Sequence, residues 1–529
     1  MKALKWLLIT ILLFFVFSFS VNAQNNTNID VIHYRFDLTI SDNSDTLYGT
    51  AAISFISLNN SSSVKFDLGA VDSTGKGMQV MAVTEAGRKL PFHHHNNKLL
   101  IQLPGALKTA DSMKLQVRYK GIPADGLIIG QNSFNKRTFF GDNWPNRAQY
   151  WLPCNDIPAD KASLEFVISA PAHYGVVGNG IKVDEHLIND STRLTHWKED
   201  VPLPTKVMVF GAADFAVSNA AYAGDIPVTS WVFAQEKTFH DYELARDILL
   251  FYINYIGPYG YKKLANVQSK TRFGGMENAG AIFYFEQSVS AKDQLEDLMA
   301  HEIAHQWFGD MVTETDFKHL WLSEGFATYM TNLYTENRYG RDSMNKKLIE
   351  QRNNVIAFTA EYQAPVIDTT ADYMKLLNAN SYQKGGWVLH MLRSLTGDEV
   401  FKNIIREQYR KFAGKNSSTE DFIATAETVS KQNLKSFFEQ WLYKPGLPVL
   451  ATTWMYNERK KKIVITVDQK QDALFSFSLE LMINTGDGKE LKKLSIKKRR
   501  SKITVRVNTP VTGIITDPNC KLLWKLYPG

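Results

Sequence analysis

Cysteine is nearly missing: Cys154 and Cys520 are the only two in 529 residues. A disulfide scaffold and any four-cysteine metal site are therefore excluded, and a metal, if bound, must rest on histidine and carboxylate. Past the first two dozen residues, no apolar run approaches the about 20 residues that a membrane span needs. Charge of one sign is not in excess either, with 60 Lys and Arg against 54 Asp and Glu. Proline (17) and glycine (32) are too sparse for a collagen-like or low-complexity chain. With 44% hydrophobic and 22% charged residues, long disorder is also excluded. What is left is a globular protein three to four times the length of a typical domain, hence a multidomain one.

The first 23 residues have the layout of an export signal. Lys2 and Lys5 precede an apolar run from Trp6 to Phe17, and the small-residue ending Val21-Asn22-Ala23 precedes Gln24. Cleavage is expected after Ala23, giving an exported protein, periplasmic or extracellular, with no stable membrane span and no nucleic-acid partner. No cysteine follows to carry a lipid anchor. Cys154 and Cys520 are far apart in sequence, so two buried free thiols are expected rather than a disulfide.

From Ile32 to Ile40 apolar and polar residues alternate, the period of a half-buried strand, and similar short strands such as Leu47 to Ser57 and Lys206 to Gly211 continue to about Val217. Residues 24 to 217 are therefore expected to form an N-terminal β domain. Helical spacing dominates from Tyr242 to Tyr255 and from Lys292 to about Gln440, with Leu434, Phe437, Phe438, Trp441 and Leu442 on one stripe. Ser418 with Asp421 marks a helix start. Residues 218 to 445 thus read as a mainly helical domain. After Pro445, Gly446 and Pro448, strands return to the end. This last segment, 446 to 529, carries 16 Lys and Arg against 7 Asp and Glu. Its clusters Arg459 to Lys462 and Lys497 to Arg500 are expected to be solvated hairpin ends, with weak contact to an anionic surface as the second reading. The triple His93-His94-His95 is expected in a turn between strands. Neighbouring strand residues face opposite sides and do not converge on one ion.

The informative segment is His301-Glu302-Ile303-Ala304-His305, preceded by the helix-favouring Asp293 to Ala300. Two imidazoles four residues apart on a helix project from one face, at the separation two ligands of a tetrahedral zinc need. Glu302 is placed to take a proton from the water that such an ion activates. Roughly 0.01 such pentapeptides are expected by chance in a chain of this length. Catalytic zinc needs a third protein ligand, and Glu324 lies nineteen residues past His305 on what reads as a second helix, with a polar turn from Gly309 to Lys318 between them. Upstream, Gly274-Gly275-Met276-Glu277-Asn278 sets a carboxylate among glycines that allow close approach of an extended peptide, and could hold a cationic group.

These segments, with Trp321 to Ala327, Ser381-Tyr382-Gln383-Lys384-Gly385-Gly386, Trp151 to Asp156 and Phe438 to Pro448, resemble the aminopeptidase N family of gluzincin zinc metallopeptidases, which includes leukotriene A hydrolase. The resemblance spans roughly Gly141 to Leu450. It implies one Zn²⁺ per chain held by His301, His305 and Glu324, with Glu302 as general base and later proton donor. It implies further that Glu277 binds the free α-amine of a peptide, that the backbone around Gly275 and Met276, within the Gly274 to Asn278 segment, holds the peptide, and that Tyr382 stabilises the oxyanion. The expected architecture is multidomain α+β: a β-sheet domain, a thermolysin-like zinc domain and a small C-terminal β-sandwich.

Two departures stand out. Relatives often place a Gln or Glu from the β domain beside the substrate amine; here the stretch is Asp142-Asn143-Trp144-Pro145-Asn146-Arg147-Ala148-Gln149, in which no residue maps cleanly onto that position and Asp142 and Asn143 are the candidates. Only about 80 residues follow Pro448, short of the large helical cap found in many members, so a more open site is expected. The expected function is a secreted zinc aminopeptidase acting on peptides with a free N-terminus. The alternatives are a zinc endopeptidase, against which the Glu277 motif speaks, and a non-catalytic peptide-binding protein.

Overall fold

The computed structural model describes residues 28–236, 242–288, 292–370 and 372–528. The expected export signal lies outside these residues.

Alternating apolar side chains build the first layer. Strand Ile29–Ser41 lies inside an eight-stranded sheet, pairing in parallel with Lys161–Pro171 and antiparallel with Ser44–Ser57, and buries Tyr34, Phe36, Leu38 and Ile40 on one face. The alternation expected from Ile32 onward breaks at its start: Ile32 is exposed and Val31 is fully buried. A register shift between Val31 and His33 causes this, since one extra residue in a strand turns the preceding side chains to the other face. Lys206 also departs from expectation. It sits in a short 3₁₀ turn, Thr205–Val207, and the strand begins only at Phe210. The triple histidine lies within a strand, Phe92–His95, not in a turn; the turn that follows is made by Asn96 and Asn97, both with positive φ. Within that strand His94 is half-buried with its Nε2 2.9 Å from the Leu68 carbonyl, while His93 and His95 face solvent.

The middle of the chain starts with a five-stranded sheet in the order Phe215–Ala223, Ile226–Phe233, Leu264–Ser269, Ala281–Phe285, Gly275–Met276. Its last edge is the Gly275–Met276 segment, antiparallel to Ala281–Phe285. Eight α-helices accompany it among the described residues, the first between its second and third strands and the rest after it: α1 (Ala245–Tyr255), α2 (Lys292–His305), α3 (Trp321–Tyr339), α4 (Arg341–Glu361), α5 (Gly385–Thr396), α6 (Asp398–Phe412), α7 (Thr419–Ser430) and α8 (Lys435–Leu442). The predicted start of α7 is a complete capping box: Ser418 Oγ accepts from the Asp421 N–H, and Asp421 Oδ2 accepts from the Ser418 N–H at 2.9 Å. Gly325 on α3 meets Gly385 at the start of α5 so closely that a Cβ on Gly325 would fall 2.9 Å from the Gly385 backbone. That approach presses the π-helical turn Asn380–Lys384, which carries Tyr382, onto α3.

The C-terminal segment is a β-sandwich of a four-stranded and a three-stranded sheet. Ile463, Ile465 and Val467 from one sheet and Leu479, Leu481 and Ile483 from the other are fully buried. Of the clusters Arg459 to Lys462 and Lys497 to Arg500, Lys462 and Arg500 are the first residues of strands Lys462–Gln469 and Arg500–Arg506, and the others occupy the connections before them. Cys154 and Cys520 are both free and buried. His390 on α5 contacts the Cys520 carbonyl at 2.9 Å and ties the sandwich to the helices. The N-terminal domain is fastened by two lysines, Lys161 half-buried and Lys206 buried. Lys161 donates to the Asp310 and Met311 carbonyls, and Lys206 pairs with Glu314.

Candidate active site

The i, i+4 spacing on α2 does what the helix period requires. His301 and His305 point the same way, with their Nε2 atoms 3.1 Å apart. Helix α3 packs against α2 and delivers Glu324, whose Oε2 lies 3.3 Å from each of those nitrogens. Among the described residues this is the one group of three His, Cys, Asp or Glu side chains able to share an ion. Donors about 2.0 to 2.2 Å from a tetrahedral zinc stand about 3.3 Å from each other, so the triangle fits that ion. The tautomer fits too. His305 Nδ1 faces the Phe308 carbonyl at 3.0 Å and Ser323 Oγ at 3.1 Å, which places its proton there and leaves Nε2 as the lone-pair donor.

The electrostatics ask for a cation. Burial alone would lower His305, yet Glu324, Glu277 and Glu302 surround it and push it up to about 10. Burial opposes the charge of Glu324, but His305 and His301 outweigh it and hold this carboxyl well below its usual range. His301 is lowered by burial, partly offset by Glu324. Three buried carboxylates thus converge on two imidazoles, and one proton on His305 stands where a divalent ion would sit.

Glu302 follows His301 in the helix and is buried, with burial foremost and then Glu277 and Glu324 lifting its proton affinity well above normal, against a lowering by His305. The edge segment passes it at close range: a Cβ at position 275 would fall 2.4 Å from Glu302 Oε1, so only glycine lets the backbone through. Two residues on, Glu277 is buried and its Oε1 has no hydrogen-bond partner. A buried carboxylate oxygen without a partner is a standing demand for a donor. Gln306 fixes this segment from beneath, donating to the Glu277 carbonyl at 2.6 Å and to Asp310 at 3.0 Å while accepting from the Gly280 N–H at 2.7 Å.

One cleft gathers Gly275, Met276, Glu277, His301, Glu302, His305, Glu324 and Tyr382. The Tyr382 ring stacks on His301 at 5.9 Å between centroids, and burial followed by the nearby carboxylates raises its phenol well above the usual range, so it stays protonated. Gly274 and Asn278 do not line this cleft. Gly274 accepts from the Phe285 N–H in the edge pairing, and Asn278 is fully buried beneath. Asp142 and Asn143 are absent from the lining as well. Asp142 pairs with Arg147, and Asn143 bonds the carbonyls of Thr205 and Met208 and the Trp151 indole. The residue that the N-terminal domain does bring to the cleft is Trp144, and Phe273 and Leu377 complete the wall. None of these three has a local signature in sequence. Only the departure at 142–149 pointed to the stretch that holds Trp144.

Family models agree with this arrangement. The model described as the Peptidase family M1 domain matches residues 240–441, and that described as the Peptidase M1 N-terminal domain matches residues 31–207. The chain belongs to peptidase family M1, the aminopeptidase N family. Among M1 relatives, "Aminopeptidase M1-C" of Oryza sativa is 28% identical over 58% of this chain and 36% of its own length. "Glutamyl aminopeptidase" of Homo sapiens is 28% identical over 61% of this chain and 36% of its own. The chain therefore spans little more than a third of these curated relatives. The solved M1 zinc metallopeptidase of Deinococcus radiodurans superposes with a TM-score of 0.68, at 23% identity, over 80% of this chain and 95% of that one. A mutant of it bound to a Tyr-Ser-Ala substrate gives 0.69.

Proposed function

We propose that this chain is an exported zinc aminopeptidase that releases the first residue of peptides. The observation that carries the reading is Glu277: a buried carboxylate with a free oxygen, in the same cleft as the His301, His305, Glu324 triangle and the buried Glu302. Zinc held by those three side chains would supply Lewis acidity, lowering the pKa of water toward 7 and polarising a carbonyl. Glu302 takes the proton of the attacking water and later hands it to the departing amine. Tyr382, kept protonated by burial, donates its hydroxyl to the oxygen that becomes negative. Glu277 pairs with the α-ammonium of the substrate. A blocked or internal peptide would leave that carboxylate buried and unpaired, so cleavage is confined to the first bond.

Four measurements test this reading. The zinc-loaded chain should cleave amino-acid anilides and leave an internally quenched peptide with a blocked N-terminus intact; cleavage of the blocked peptide alone would establish the endopeptidase alternative, and cleavage of neither the binding-protein one. Glu277→Ala should cut kcat/KM on anilides about 100-fold, mostly through KM, because a buried ammonium partner is lost. Unchanged kinetics would remove Glu277 from amine binding. Tyr382→Phe should cost about 10² to 10³ in kcat with KM nearly constant, the usual effect of deleting one oxyanion donor. Export is supported by the layout of residues 1 to 23. Edman sequencing of the protein recovered outside the cytoplasm should begin at Gln24, and a start at Met1 would contradict processing.

A further inference from the structure

A peptide's first Cα carries three groups that the cleft must sort. Under the reading above, the ammonium goes to Glu277 and the carbonyl to the side where Glu302 and Tyr382 stand. The side chain can face only what remains of the lining, and that is Trp144, Phe273, Met276 and Leu377. All four are apolar. No Lys or Arg lines the cleft, and cations around it are paired with carboxylates outside it: Arg147 with Asp142 at 3.0 Å, Arg272 with Asp125, Lys206 with Glu314, and Lys347, in the adjoining pocket beyond His301 and Tyr382, with Asp297. The three carboxylates of the lining are already committed to amine, base and metal.

Trp144 is the residue that sets this wall. It comes from the N-terminal domain, is 3% exposed, and meets Phe273 edge to face at 6.0 Å and Phe317 at 5.9 Å, with Tyr373 packed behind Phe317 at 4.6 Å. Its position is braced on two sides, so it offers a rigid aromatic surface rather than a movable one. The indole nitrogen is a donor without an acceptor lone pair, so Trp144 makes no hydrogen bond to an ammonium in the way a Gln or Glu there would. The N-terminal domain therefore contributes the face of an aromatic ring at the stretch where no residue mapped cleanly onto the amine anchor that the resemblance implies.

We infer that Trp144, Phe273, Met276 and Leu377 hold the side chain of the substrate's first residue, and that the enzyme selects peptides beginning with a bulky, uncharged apolar residue. This rests on the aminopeptidase reading. A branched aliphatic or aromatic side chain buries itself against the wall. An acidic one finds no cation, and a basic one only carboxylates already in use.

The test measures kcat/KM of the zinc-loaded full chain on Leu, Phe, Ala, Glu and Lys anilides, for the wild type, Trp144→Ala and Leu377→Ala. The wild type should favour Leu and Phe over Ala by about tenfold or more, and over Glu and Lys by more still. Both variants should lower the Leu-to-Ala ratio at least tenfold. Leu377 is half-buried in an irregular segment, so its variant remains informative where Trp144→Ala folds poorly. Glu or Lys anilides cleaved as well as Leu, or an unchanged Leu-to-Ala ratio in Leu377→Ala, would overturn the inference while leaving the aminopeptidase reading intact. Failure to cleave any anilide would instead count against that reading. In that event thermal shift with free Leu, Phe, Glu and Lys decides the wall separately: larger shifts for Leu and Phe, lost in Leu377→Ala, uphold it, and equal shifts for all four refute it.

Discussion

Glu302→Gln should lower kcat by about three orders of magnitude while the protein keeps one zinc per chain. The carboxamide matches the carboxylate in shape, which matters because Gly275 leaves no spare room beside it. What changes is proton affinity: an amide takes no proton from water and returns none to a leaving amine. Glu302 is outside the triangle of donors formed by His301, His305 and Glu324, so metal analysis of the variant should equal that of the wild type. Loss of zinc would make Glu302 a ligand and not a base. A kcat within tenfold of the wild type would require another proton acceptor in the cleft, and no other uncommitted carboxylate lines it.

Removing the ion should have the second large effect. His305→Ala leaves two donors where a catalytic zinc needs three, and is expected to yield a metal-free, inactive chain. A strong chelator should do the same to the wild type, reversibly, and lower its melting temperature, because an ion bound only by the folded state adds to its stability. The sign of the pH dependence follows from His305. With its proton affinity raised to about 10 in the metal-free site, it is protonated at neutral pH, and an incoming ion must displace that proton. Zinc affinity should therefore strengthen as pH rises toward 10 and weaken as it falls. Calorimetry in buffers of different ionisation heat should read about one proton released per zinc at neutral pH. Binding that is indifferent to pH, with no proton released, would mean that His305 is already neutral and that the three carboxylates do not act on it as their burial implies.

How much of this was legible beforehand depends on the distance over which each feature is decided. The zinc helix, the capping box at Ser418 and the alternating strands are local: their spacing repeats the period of one element, so neighbours in sequence determine them. The one-residue shift at Val31 and the strand placement of His93 to His95 escaped because pairing partners, not propensity, choose register and turn position. The Gly274 to Asn278 segment was found as a motif, but which of its members face the cleft was settled by how it packs against α2. Gly275, Met276 and Glu277 turn in; Gly274 and Asn278 do not.

Residue type and spacing alone determined the groups on offer: two imidazoles one helical turn apart, a carboxylate beside the first, a third donor downstream and another carboxylate among glycines. Tertiary structure decided who meets whom. Packing of α3 on α2 closed the triangle around Glu324, the contact of Gly325 with Gly385 pressed the Tyr382 turn into place, and docking of the N-terminal domain through Lys161 and Lys206 put Trp144 at the wall. Those encounters join residues tens to more than a hundred positions apart. Core packing and buried ion pairs bring them together, and neither leaves a period in the chain.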